Sequence, residues 1–171
     1  MNPVLTRWNA LDAESAAREV LPCCGSSAWA AQLTAKRPIA DEPSLIEASN
    51  SVWFSLPEKA WQQAFDSHPR IGQKHAQTQA TEESLRWSAQ EQRTALSEDK
   101  AAKLALEEAN RHYEQRFGRI FIVCATGKTA REILSILDQR MTNDASTELR
   151  EAAEQQRQIT ELRLRRWLES T

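Results

Sequence analysis

The sequence predicts an all-α fold, a compact, helical bundle-like single domain over residues 1–171 with about seven to nine helices. Alanine, leucine, glutamate, glutamine and arginine dominate the 171 residues, and all five favour helices. Only four glycines and six prolines interrupt the chain, and β-branched residues are sparse. Because 40% of the residues are hydrophobic and 27% are charged, the composition is that of a globular domain that can bury a core.

Capping and turn residues divide the first half of the chain into helices. We expect one helix within residues 1–24, with Asn9 or Asp12 as its N-cap. After the Gly25–Ser27 loop, serine can cap a short second helix, and prolines mark the starts of the next two. These three predicted helices cover about residues 29–35, 43–55 and 57–67.

The second half of the chain continues the helical pattern after a polar loop at residues 70–81. The predicted helices here cover about residues 81–95, 97–117, 128–141 and 145–168. Between two of them, Ile120–Ala125 is a short apolar run of the kind found in buried strands, and no second such run is available to pair with it. We therefore expect one short extended segment that crosses the core of a helical protein.

Charge and sequence signals narrow the function classes. The formal net charge of −2 argues against a nucleic-acid-binding domain, which usually carries a basic stripe. No signal-peptide pattern and no apolar run of membrane-spanning length is present, so we expect no membrane partner and a cytoplasmic location. Cys23, Cys24 and Cys124 show neither disulfide nor metal-ligand spacing, so we expect buried thiols, no disulfide and no metal site.

A histidine beside a proline ends the helix that precedes the polar loop. The residue before a proline is pushed out of the α region, so His68 is expected at a helix end. Pro69 fixes its own φ, and Gly72 permits a change of direction. The pattern places a titratable ring on a stiff elbow, which suits acid–base chemistry. A histidine that only interacts with the negative end of a helix dipole would show the same pattern.

The helix predicted from residue 81 carries polar side chains on its buried face. Ser88 and Gln92 are four residues apart on the stripe that passes through Leu85, and Glu91 borders the same surface. This arrangement directs a hydroxyl, a carboxylate and a carboxamide to one side of the helix. Taken alone, these residues could also lie at a solvated rim.

The last predicted helix shows the same anomaly. Arg163 lies four residues from both Ile159 and Trp167, which places it on the apolar stripe. A buried arginine needs a carboxylate partner, either from the protein or from a ligand. A snorkelling side chain or a structural ion pair with Glu91 would also account for it. Together with His68, however, these polar groups favour a small polar pocket.

Four sequence blocks, in order along nearly the whole chain, resemble the family of OHCU decarboxylases, where OHCU is 2-oxo-4-hydroxy-4-carboxy-5-ureidoimidazoline. The blocks are His68–Gly72, Ser88–Gln92, Phe117–Ala125 and Leu162–Leu164. The resemblance implies an all-helical fold, no cofactor, a homodimer, and conversion of OHCU to (S)-allantoin and CO2 in urate degradation. It thus implies a carbon–carbon lyase whose binding partner is its small-molecule substrate, OHCU.

The resemblance also implies roles for individual residues. His68 would be the catalytic proton donor, and Glu91 and Arg163 the other catalytic side chains. Substrate contacts would come from Pro69, Ser88, Ala89, Gln90, Glu91, Gln92, Phe121, Ile122, Val123, Cys124 and Ala125. Loss of CO2 leaves electron density on carbon, so such a site must hold an anion, stabilise the developing charge and deliver a proton to one face.

The residues themselves leave two other functions open. One is a helical interaction module without catalysis, whose tryptophan-rich faces dock a partner. The other is a hydrolase of a different ureide that uses the same histidine and glutamate to activate water.

Overall fold

The computed structural model describes residues 1–71, 81–93 and 99–170, and these contain nine helices and no β-strand. The prediction of an all-α fold is therefore confirmed. The loop predicted after Ile71 and the junction predicted between Ala95 and Ser97 lie outside the described residues. The helices are α1 (Pro3–Ala10), α2 (Ala13–Cys24), α3 (Ser27–Thr34), α4 (Glu42–Ser55), α5 (Glu58–Asp66), α6 (Glu82–Glu91), α7 (Lys100–Phe117), α8 (Ala130–Arg140) and α9 (Ala145–Leu168).

Two compact units can be distinguished in the chain from the contacts between its residues. The first unit comprises Met1–Ala64 and Arg157–Thr171, and the second comprises Phe65–Gln156. The boundaries fall within α5 and α9. The assignment of residues 1–171 to a single domain stays a prediction.

The first 24 residues form two helices, so the prediction of one helix was wrong. The side chain of Asn2 accepts hydrogen bonds from the backbone N–H groups of Val4 and Leu5 and thereby caps α1. Leu11 is extended, with φ −70° and ψ 155°, and this ends α1. Asp12 then caps α2, as expected, by accepting from Ser15 N–H. A second N-cap so close to the first was overlooked in the sequence.

Tryptophans fill the core of the first unit. Trp8, Trp29 and Trp53 are almost completely buried, and the indole N–H groups of the first two donate to the Ala16 carbonyl and the Ser49 hydroxyl. The ring of Trp167 packs edge-on against Trp8, with 5.7 Å between centroids. Because these large side chains are inside the unit, they hold its helices together and offer little surface to a partner.

Capping residues set the ends of the helices in the second unit. Thr81, Asp99 and Thr129 cap α6, α7 and α8, each by accepting a backbone N–H in the first turn. Asp144 precedes α9 and accepts from the N–H of Thr147. Gly118 follows α7 with φ 71°, a left-handed conformation that glycine adopts readily. The four helices begin at residues 82, 100, 130 and 145, and the sequence predicted starts at 81, 97, 128 and 145.

Residues 120–125 cross the second unit without forming helix or sheet, and all six are buried. The side chains of Phe121, Val123 and Ala125 belong to a hydrophobic cluster with residues of α7 and α8. Alternate residues on one side are the signature of an extended chain. The predicted extended segment is therefore confirmed, and Ile122 and Cys124 lie on its other side.

Candidate active site

The proline elbow is buried in the second unit. α5 ends at Asp66, and the His68 N–H donates to the carbonyl of Phe65 across 3.1 Å. His68 is only 7% exposed, and Pro69 beside it is buried as well. Arg70, the next residue, forms a two-pronged ion pair with Glu114 of α7, with N–O distances of 2.5 and 3.0 Å. The elbow is thus fixed to α7 immediately after the histidine.

The imidazole of His68 meets a glutamine that the sequence analysis did not single out. Its Nε2 lies 2.7 Å from Oε1 of Gln156 on α9, and Gln156 has no exposed surface. Gln156 is seven residues before Arg163, so extending the helical stripe that identified Arg163 by two turns would have reached it. Nothing in the sequence, however, indicates that His68 is its partner.

The last turns of α6 bring polar side chains into the interior. Ser88, Glu91 and Gln92 are 2%, 8% and 7% exposed, which agrees with the polar buried face expected from the sequence. Ala89 and Gln90 lie between them and are exposed. The side chains predicted to contact substrate on this helix therefore divide into a buried set and an exposed pair, and for the exposed pair a contact would have to come from the backbone.

A buried ion pair anchors the extended segment. Arg140 at the end of α8 donates to the carboxylate of Glu148 on α9 through Nε and Nη2, at 2.9 and 2.5 Å. Its Nη1 donates to the carbonyl of Ile122 at 2.6 Å, and the guanidinium lies 4.4 Å from the ring centroid of Phe121. Tyr113 donates its hydroxyl to the same carboxylate. These bonds hold one end of the segment against three helices.

The other end of the segment is held at Cys124. Its backbone N–H donates to Oε1 of Gln155 at 2.8 Å, and its carbonyl accepts from Nζ of Lys128 at 2.7 Å. Burial raises the pKa of the Cys124 thiol, the Lys128 ammonium opposes this rise, and the Glu91 carboxylate adds to it. Glu91 is thus close enough to Cys124 for its charge to affect the thiol. This places the end of α6 near the extended segment at residues 120–125.

These contacts correct one expectation. Because the sequence offers no second strand to pair with this segment, backbone groups of residues 121–125 would be expected to lack partners and to be available to a ligand. The Ile122 carbonyl and both polar backbone groups of Cys124 have side-chain partners instead, because Arg140, Gln155 and Lys128 replace the missing strand. Phe121, Val123 and Ala125 place their side chains in the hydrophobic cluster. Only Ile122 and Cys124 have side chains on the side away from that cluster.

Arg163 is fully buried in the first unit, as its position on the stripe predicted. Its Nη1 donates to the carbonyl of Pro22 at 3.1 Å. Burial raises the pKa of the nearby Cys24 thiol to about 12, although the Thr160 hydroxyl and the Arg163 guanidinium both act to lower it. The neighbouring Arg165 points to the surface and pairs with Glu42 and Glu161.

The second unit therefore contains most of the predicted site residues: His68, Pro69, Ser88, Ala89, Gln90, Glu91, Gln92 and Phe121–Ala125. Within it, consecutive residues of α9 bind two parts of the predicted site, since Gln155 holds Cys124 and Gln156 holds His68.

Cys23, Cys24 and Cys124 are buried thiols, as expected. Across the described residues, no group of three or more histidine, cysteine, aspartate or glutamate side chains is arranged to hold a metal ion. None of the helices described here has both the length and the apolar character needed to cross a membrane.

Comparison with known proteins places this arrangement in a family. The chain is 38% identical over 144 residues to the uric acid degradation bifunctional protein TTL of Arabidopsis thaliana, covering 83% of this chain and 44% of that protein. It thus spans less than half the length of that relative. It is 30% identical over 147 residues to the 2-oxo-4-hydroxy-4-carboxy-5-ureidoimidazoline decarboxylase of Amia calva, covering 85% of this chain and 80% of the relative.

Solved structures give the same result. An OHCU decarboxylase crystallised in the presence of (S)-allantoin superposes with a TM-score of 0.76 at 33% identity, covering 89% of this chain and 98% of that one. An (S)-allantoin synthase shares the fold, with a TM-score of 0.70 at 17% identity, and its match covers 95% of this chain and 53% of its own. The family model for OHCU decarboxylase matches residues 9–165. The resemblance seen in the sequence is confirmed, and the chain belongs to the OHCU decarboxylase family.

Proposed function

We propose that this chain is a cofactor-independent carbon–carbon lyase that converts OHCU to (S)-allantoin and CO2 in urate degradation. Family membership supports the reaction. The observation that carries the proposal is the burial of His68 in the same compact unit as Glu91 and the extended segment. A buried, hydrogen-bonded imidazole beside polar groups is suited to passing a proton to a site from which water is excluded.

The substrate's name defines the chemistry required. Ring carbon C4 carries the hydroxyl and carboxyl groups, C2 carries the oxo group, and C5 carries the ureido group. Because C4 is saturated, the one double bond of the imidazoline joins C5 to its ring nitrogen. When the bond from C4 to the carboxylate breaks, CO2 leaves, the electron pair forms a double bond between C4 and C5, and the former C–N double-bond pair moves onto the ring nitrogen. C5 then gains a proton as the C4 hydroxyl becomes a carbonyl, and the face that is protonated sets the configuration.

In this proposal His68 delivers the proton to C5. Glu91 orients the imidazole of His68 or returns a proton to it. Ser88 and Gln92 offer a hydroxyl and a carboxamide to the ureido and ring amides. Arg163, a cation whose charge does not depend on pH, would stabilise the carboxylate or the oxyanion. The placement of Arg163 with these groups is taken from the resemblance. Contacts from Pro69, Ala89, Gln90 and residues 121–125 are proposed on the same basis, as are the homodimer and the cytoplasmic location.

The two other functions have less support. A docking module would need exposed indole rings, and four of the five tryptophans of the first unit, Trp8, Trp29, Trp53 and Trp167, are at most 5% exposed, while Trp61 is partly exposed. A ureide hydrolase would use the same histidine and glutamate, but hydrolysis opens a ring or cleaves a ureido group and does not yield allantoin from OHCU. The products of the reaction therefore separate the two enzymes.

The test is optical. OHCU decays to racemic allantoin unaided, so freshly generated OHCU is mixed with the protein while circular dichroism and CO2 release are followed. We expect rapid formation of (S)-allantoin. The variant His68→Asn should lose about 10²–10⁴-fold in rate, the range attributed to acid–base catalysis. His112→Asn, a histidine exposed on α7, is the matched control. Near-normal turnover by His68→Asn, or a racemic product with the unaltered protein, would overturn the proposal.

A further inference from the structure

The contact between His68 and Gln156 determines which imidazole nitrogen can act on the substrate. The Nε2–Oε1 distance is 2.7 Å, both residues belong to the second unit, and 88 residues separate them in the chain. A carboxamide oxygen only accepts hydrogen bonds. A hydrogen atom must therefore lie on Nε2, whether the ring is neutral or protonated.

We propose that Gln156 is a positioning residue that holds His68 in its Nε2–H form, so that Nδ1 is the nitrogen that passes the proton to the substrate. This inference rests on the proposed function and deepens it. A neutral imidazole with hydrogen on Nε2 has its lone pair on Nδ1, and a protonated ring carries its second hydrogen there. Without the Gln156 oxygen, Nε2 would lose the acceptor that fixes its hydrogen, and the Nδ1–H tautomer would gain population.

The proton balance fits this assignment. Protonated His68 transfers the Nδ1 hydrogen to C5 of the substrate after CO2 has left with its carboxylate oxygens. The ring nitrogen beside C5, which received the electron pair, takes up the proton that the C4 hydroxyl loses. His68 is left neutral with its hydrogen on Nε2, the form that the Gln156 oxygen accepts. One proton from solvent then restores the ring for the next turnover.

The neutrality of Gln156 also has a consequence. A carboxylate at this distance would favour the protonated ring strongly, whereas an amide oxygen orients the ring with a much weaker preference for charge. A histidine held by an amide can give up its proton and regain it within one catalytic cycle. Gln156→Glu is therefore an informative variant, since it keeps an acceptor oxygen of the same reach and adds only the charge.

The experiment measures the tautomer directly, in the absence of substrate. Histidine labelled with ¹⁵N is incorporated, the His68 signals are identified by their loss in His68→Asn, and the ring is observed at a pH where it is neutral. We expect the hydrogen on Nε2 in the unaltered protein and in Gln156→Glu, and a mixture of tautomers in Gln156→Leu. Gln139→Leu, at an exposed position on α8, is the control and should leave the signals unchanged.

The kinetic measurement follows from the same logic. Gln156→Leu should lower kcat by about 10–100-fold, with a smaller change in KM because the proposed role of Gln156 acts through His68 and not through substrate binding. Gln156→Glu should retain more kcat than Gln156→Leu. A purely structural role predicts the opposite order, because a buried carboxylate disturbs an interior more than a leucine of similar volume.

The unaltered protein alone can refute the inference, so it does not depend on whether a variant folds. Hydrogen on Nδ1 in the neutral ring, or equal populations of the two tautomers, would overturn it. Failure of the proposed function looks different, because the tautomer would be as expected while His68→Asn left the rate of CO2 release unchanged.

Discussion

Two buried polar contacts in the second unit, both made by α9, differ in charge. Glu148 holds Arg140 through a charged pair whose side chains are 0% and 6% exposed, and Gln156 holds His68 through a neutral acceptor. The first contact pairs a guanidinium with a carboxylate, and it anchors the extended segment. The second joins a titratable ring to a group that cannot titrate. The charged contact serves as structure, and the neutral one places no fixed charge at Nε2 of the imidazole.

The largest effect on the charged contact is expected from removing Arg140. Arg140→Met should lower the free energy of unfolding by about 3–5 kcal/mol, because the Glu148 carboxylate would be left buried without its cation. Urea denaturation gives this value directly. The control is Arg165→Met, whose ion pairs with Glu42 and Glu161 are about half exposed on the arginine side and should contribute about 0–1 kcal/mol. Equal effects of the two variants would contradict the structural role given to Arg140.

A smaller effect is expected from the tyrosine that shares the Glu148 carboxylate. Tyr113→Phe removes a hydrogen bond to a charged group, so it should cost about 1.5–3 kcal/mol at neutral pH. Burial, and then the hydrogen bond to Glu148, raise the pKa of Tyr113 above its ordinary value of 10.0.

The sign of the pH effect follows from that direction. Above pH 10 the unfolded chain loses the phenol proton while the folded chain keeps it, so the contribution of Tyr113 is full below pH 10 and declines as the pH rises further. Urea midpoints of the unaltered protein should fall over this range more steeply than those of Tyr113→Phe. Parallel pH profiles would show that the phenol is not held in this way.

The smallest effect concerns the ion pair beside the histidine. The side chains of Arg70 and Glu114 are 33% and 23% exposed, so solvent weakens their attraction. Glu114→Gln should cost about 0.2–1 kcal/mol, and the difference should nearly vanish in about 1 M salt. Unfolding is measured at low and high salt. A loss that is undiminished at high salt would place this pair with the buried contact of Arg140 and not with surface pairs.

Much of the fold was predictable because it depends on local signals. The caps at Asp12, Thr81 and Asp144 and the glycine at 118 each act within a few residues, and the sequence shows them directly. The prediction of a single helix over residues 1–24 was wrong because Asn2 was overlooked as a cap with a proline at the next position. The helix predicted over residues 81–95 ends earlier, at Glu91. The buried run at 120–125 was recognisable because it is apolar throughout.

The partners within the candidate site were much harder to predict. The sequence indicated that Arg163 and the polar face of α6 are buried, since each breaks an apolar stripe. It did not indicate that Gln156 meets His68, or that Arg140 binds the Ile122 carbonyl. Such pairings depend on how helices distant in sequence pack, and hydrophobic periodicity shows which face is buried but not what it contacts.

The large sequence separation between His68 and Gln156 also affects when this contact can form during synthesis of the protein. During synthesis α5 and the elbow leave the ribosome long before the acceptor of the histidine exists, because Gln156 follows 88 residues later. Local helices form quickly, whereas contacts between distant residues require a large loop to close. A nascent chain stopped before residue 156 would hold the histidine without the oxygen that orients it. The imidazole is therefore oriented only after this part of α9 has been made and has packed against the elbow.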